Sequence, residues 1–136
     1  MEKLFLDTNL LLDFVLDRKP FSDQAERIIQ LRFTHKKRLF TSALSIANVA
    51  YVVRKAGQNP FLVITEMMEW VEIVSLTKAE FSQTIKSTFK DFEDALQFYT
   101  ALEVDADVII TRDLKDFSAS SIPVNSPTQY LRTIKE

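Results

Sequence analysis

Leu4-Phe5-Leu6-Asp7-Thr8-Asn9 runs three consecutive apolar residues straight into an acid and two polar residues. An apolar run without alternation reads as a strand buried on both faces, as inside a parallel sheet, and the polar residues after it mark the strand's carboxyl end. Similar short runs recur at Leu39-Phe40-Thr41, Val71-Glu72-Ile73-Val74 and Val108-Ile109-Ile110, separated by longer segments of helical period. Buried strands alternating with helices predict an α/β fold with a mainly parallel sheet. Two acids then fall at strand ends: Asp7 directly after the first run, and Asp113 after the fourth, beyond Thr111 and Arg112. Open α/β sheets place their ligand sites at those ends.

The helices are announced by local chemistry. Asn59-Pro60 sets a capping amide before a proline at the first helical position, and Gly57 ends the helix before it. Thr77-Lys78-Ala79-Glu80 has the spacing of a capping box, and Ser126-Pro127 starts a last helix expected to run through Ile134. A third helix is expected from Ser45 to Lys55, burying Ile46, Val49, Ala50 and Val53, with Asn48 next to that face. A sixth is expected from Asp91 to Val104, with Ala95, Leu96, Phe98, Tyr99 and Leu102 on its apolar side; Asp91 and Asp94 share an edge of its first turn.

Composition sets the outer bounds. A chain of 136 residues, 46% hydrophobic and 26% charged, with one glycine, four prolines and no repeat, is expected to form one soluble domain over 1–136. The absence of cysteine excludes disulfides, zinc–thiolate sites and thiol chemistry, and agrees with a cytoplasmic location. The first residues lack the apolar core of a signal peptide, and no run approaches the ~20 residues that cross a bilayer, so no membrane partner is expected. A net charge of −2 does not announce a nucleic-acid partner. Locally, Arg32, His35, Lys36, Lys37 and Arg38 form a basic cluster while acids thicken from Asp91 to Asp116. That segregation reads either as a phosphate track (Lys36, Lys37 and Arg38) beside an anionic site, or as a solvated turn. His35 reads as a surface residue.

Asp7, Asp94 and Asp113 are separated by 87 and 19 residues, so only folding can assemble them. Two carboxylates about 4 Å apart repel by roughly 4 kcal/mol at an effective dielectric near 20, and a hard divalent cation is the natural neutraliser. Each acid also has a simpler reading. Asp7 and Asp91 fit helix caps, Asp94 suits the positive end of a helix dipole, and Asp113 suits a turn.

At these residues the chain resembles the PIN-domain nucleases, which include the toxin halves of many bacterial toxin–antitoxin pairs. The resemblance spans nearly the whole chain and is carried by Phe5-Leu6-Asp7-Thr8-Asn9, by Asp94-Ala95-Leu96-Gln97-Phe98-Tyr99-Thr100-Ala101, and by Ile110-Thr111-Arg112-Asp113 followed by Asp116-Phe117. It implies a three-layer α/β/α sandwich around a sheet of about five strands. It also implies that Asp7, Asp94 and Asp113 bind Mg²⁺ or Mn²⁺, with Asp116 and Asp91 as additional acids. Thr8, Asn9, Asn48 and Thr111 would orient ligands, water or phosphate, while Arg112 fits either a phosphate contact or a structural ion pair. The implied activity is hydrolysis of RNA phosphodiesters, with an antitoxin and a second copy of the chain as further partners. Helix three departs from the family: Asn48 stands where a glutamate is common, and an amide brings no charge and cannot act as a base. A non-catalytic RNA- or partner-binding module is therefore the competing reading, with a receiver-like phosphoacceptor domain behind it. Phe61, Met67, Met68 and Trp70 read as either a dimer face or ordinary core.

Overall fold

The computed structural model describes residues 1–135. Five strands, β1 (Lys3–Leu6), β2 (Arg38–Ser42), β3 (Glu72–Val74), β4 (Val108–Ile110) and β5 (Val124–Asn125), form one sheet in the order β3-β2-β1-β4-β5. Every pairing is parallel, with Leu4 beside Leu39 and Val108, and Phe5 beside Phe40 and Ile109. Among the described residues seven helices accompany it: α1 (Thr8–Val15), α2 (Ser22–Thr34), α3 (Ala43–Lys55), α4 (Pro60–Met67), α5 (Lys78–Ile85), α6 (Phe92–Glu103) and α7 (Pro127–Leu131). A 3-10 turn covers Leu114–Phe117.

The unbroken apolar runs now have their cause. Leu4, Leu6, Leu39, Val108 and Ile110 point to one face, where they pack with residues of α1, α2, α3 and α7. Phe5, Phe40 and Ile109 point to the other, against Phe98 and Ala101 of α6 and Phe117. Strand residues alternate between faces, and both faces are covered, so the central positions of β1, β2 and β4 are apolar without alternation. The result is the expected three-layer α/β/α sandwich.

Local signals were accurate at most helix ends. Asn59 caps α4 ahead of Pro60, and Thr77 with Glu80 forms the capping box of α5. Gly57 takes φ +86°, a left-handed conformation that closes α3 through Gln58 N–H to Val53 O at 2.9 Å. The differences are instructive. α3 begins at Ala43 rather than Ser45, because Ser42 both ends β2 and caps the helix, accepting from Ser45 N–H at 3.0 Å. α7 stops at Leu131 and the chain continues in turns to Ile134. In α6, Leu102 is 38% exposed, whereas Gln97 and Thr100 are buried. β5 is two half-buried residues with no apolar run to signal them. Among the described residues no helix is long and apolar enough to cross a membrane.

Candidate metal and phosphate site

The order β3-β2-β1-β4-β5 makes β1 and β4 the neighbours at which the chain's connections diverge, and ligands of such sheets sit in the crevice beyond that switch point. Asp7 leaves β1 there, its N–H still bonded to Ile110 O of β4 at 3.1 Å. Although it holds the N-cap position of α1, its carboxylate makes no capping bond. It accepts instead from the buried Thr111 hydroxyl at 2.9 Å, and that oxygen accepts from Asp113 N–H at 3.0 Å. Asn9, in the first turn of α1, donates its amide N–H to Asp113 Oδ2 at 2.9 Å. The two strand ends are thus tied together through Thr111 and Asn9.

Asp7, Asp94, Asp113 and Asp116 line one cavity of about 210 Å³, together with Thr8, Asn9 and Asn48. Asp94 enters from the first turn of α6 and Asp116 from the 3-10 turn. Crowding shows in the electrostatics. Burial, then the charges of Asp91, Asp116 and Asp7, push the Asp94 carboxyl up to about 7. Asp7 is also raised, chiefly by burial and further by Asp113, while the Thr111 hydroxyl and the Thr8 N–H oppose the rise.

Two groups on this cavity escaped the sequence reading. Glu93, beside Asp94, adds a fifth carboxylate; its signal was adjacency to a candidate ligand on a helix's first turn. Gln97 is 3% exposed and lies one turn after Asp94. Its Nε2 donates to Thr8 Oγ1 at 3.2 Å and to Ser45 Oγ, while its Oε1 accepts from Ser42 Oγ. Thr8 and Ser45 hydroxyls also bond at 2.7 Å. This buried network joins α1, α3 and α6 beneath the carboxylates, and a polar residue on an otherwise apolar helix face was its only sequence cue.

Other candidates lie elsewhere. Asp91 caps α6, accepting from Asp94 N–H at 2.9 Å, and lines an adjoining cavity of about 180 Å³ that shares Asp94 and Asp116. Arg112 turns away to Asp13 of α1, with Nε–Oδ2 at 2.9 Å. Lys36 and Lys37 precede β2 and Arg38 opens it, at the opposite end of the sheet; Lys37 pairs with Glu2, and Arg38 with Glu72. His35, exposed there, meets Thr34 and the Lys135 carbonyl. Met67 is buried and Trp70 packs edge-on against Phe14, whereas Phe61 and Met68 are exposed.

Among the described residues, no three acids or histidines are yet gathered into a coordination shell. The donors nevertheless suit a hard divalent cation: the polar atoms offered are carboxylate, amide and hydroxyl groups, and burial with neighbouring charge disfavours ionisation of Asp94 and Asp7.

The PIN domain profile matches residues 3–115. The chain is 30% identical over 135 residues to Ribonuclease VapC1 of Aquifex aeolicus (strain VF5), covering 95% of this chain and 93% of that protein. The toxin–antitoxin complex from Klebsiella pneumoniae contains a chain of similar fold, with TM-score 0.71 and 21% identity over 91% of this chain and 97% of that one. VapC20 of Mycobacterium tuberculosis, described as a sarcin-ricin loop cleaving toxin, gives TM-score 0.69 and 17% identity over 88% and 95%.

Proposed function

The chain belongs to the PIN-domain family, and on that premise we propose that it is a ribonuclease that hydrolyses RNA phosphodiesters with Mg²⁺ or Mn²⁺, as the toxin of a toxin–antitoxin pair. The observation that carries the reading is a single cavity at the sheet's switch point lined by Asp7, Glu93, Asp94, Asp113 and Asp116. Neither histidine nor cysteine lines it. Similarity to a protein named for ribonuclease activity supports the same conclusion.

Asp7, Asp94 and Asp113 would hold the cation, with Asp116 and Glu93 beside them. When bound, such an ion supplies positive charge at phosphoryl oxygens and eases deprotonation of a water. The chain's own groups do the rest. Thr111 Oγ1 and Asn9 Nδ2 aim the Asp7 and Asp113 carboxylates, and the Gln97 network holds Thr8 and α3 in place. Asn48 offers a neutral donor and acceptor for phosphate or water and leaves Glu93 as the acid nearest in role to the one α3 lacks. An antitoxin that occupies this groove and a second copy of the chain are the partners this reading carries.

The test is RNA cleavage by purified protein with Mn²⁺ or Mg²⁺. Cleavage should stop with EDTA and fall about 100-fold or more in Asp7→Asn and Asp94→Asn, since even groups that merely support metal ligands cost 10–100-fold when removed. Metal-independent RNA binding without cleavage would instead establish the binding-module reading.

A further inference from the structure

Asp13 is a carboxylate at 2% exposure on α1, away from the cavity acids, and the proposed chemistry does not use it. It receives Arg112 through two contacts, Nε–Oδ2 at 2.9 Å and Nη2–Oδ1 at 3.4 Å, while Arg18 Nε lies 3.2 Å from Oδ1. The Arg112 guanidinium also stacks on Phe21, 4.1 Å from its ring centroid. Asn9 and Asp13 are four apart on one helix, so they present side chains along the same edge. That edge grips two successive residues of the loop after β4: Asp13 takes Arg112, and Asn9 takes Asp113. A buried ion pair is a weak source of stability, because desolvation offsets the attraction. Its fixed fork geometry is a strong source of direction.

We infer that Asp13 is a positioning residue for the carboxylate site: by clamping Arg112 it fixes the Thr111–Asp113 backbone, which sets the Thr111 hydroxyl on Asp7 and the Asp113 carboxylate at the cavity wall. The same clamp keeps a guanidinium from folding in among the acids. This inference rests on the cation-binding reading of the site.

Mn²⁺ titration calorimetry on wild type, Arg112→Gln, Asp13→Asn and the double variant, well below their melting transitions, tests it. Arg112 is attracted by Asp113 and Asp7, so deleting its charge would by Coulomb's law alone tighten a dication. Positioning predicts the reverse: Arg112→Gln weakens Mn²⁺ about 10-fold. Asp13→Asn should weaken it similarly, and the double variant no further than about two-fold beyond either, because both act through one clamp. Arg112→Gln that binds Mn²⁺ as tightly as wild type or tighter, or losses that simply multiply, would overturn the inference. Arg112 is partly exposed, so its variant carries the test even where Asp13→Asn melts early. Binding rather than cleavage is the readout, so normal binding without RNA cutting would sink the nuclease reading alone.

Discussion

At the scale of the residue, Asp94 is the most informative group. Its carboxyl titrates near 7 because burial and the neighbouring Asp91, Asp116 and Asp7 all oppose its charge. Between about pH 4, its unfolded range, and pH 7 the folded chain therefore binds more protons than the unfolded one, and stability falls as pH rises. In EDTA the melting temperature should drop across that window, and Mn²⁺ should restore it by binding the ionised acids. Asp94→Asn should raise the cation-free melting temperature at pH 8 by about 2–4 °C, the shift made by ~1 kcal/mol in a domain of this size, discounted for the water that reaches this side chain. A variant that melts lower would show that the acids are not in conflict. Asn48 and Glu93 make a reciprocal pair of tests, because ligand charge sets affinity for hard cations. Asn48→Asp should tighten Mn²⁺ and Glu93→Gln loosen it, each by about 10-fold in calorimetry if they line one charge cluster.

At the scale of the element, the site depends on three helices meeting at polar contacts. Gln97 of α6 reaches Thr8 of α1 and Ser45 of α3 while accepting from Ser42 at the end of β2. Gln97→Leu keeps the volume and strands the hydroxyls it served, at a cost of about 2 kcal/mol in urea unfolding. RNA cleavage should fall with it even in the folded population, because Thr8 and Ser45 lose the partner they share. Unchanged stability would mean that water replaces the amide without loss.

At the scale of the whole molecule, the sheet separates its charges by end. The carboxylates sit where parallel strands finish, and Lys36, Lys37 and Arg38 sit where β2 starts, roughly 13 Å away along the strand. The lysines next to the cavity are Lys90 and Lys115, which line the adjoining hollow that shares Asp94 and Asp116 and which make no ion pair among the described residues. Replacing both by alanine should weaken RNA binding and lower the slope of log K against log salt by about 1–2, whereas Lys36→Ala with Lys37→Ala should leave the slope nearly unchanged; the opposite result would place the RNA track at the far end. Sequence by itself determined the layer architecture, because unbroken apolar runs are stable only between two covered faces. It also determined most helix ends, because caps act within four residues, and it pointed to Asp7 and Asp113 through their places after apolar runs. Only the tertiary structure decided that Glu93 faces the cavity, that Gln97 ties three helices and that Arg112 turns to Asp13. Those outcomes depend on the direction of a side chain and on neighbours 52 to 99 residues away, and local periodicity carries no information about either.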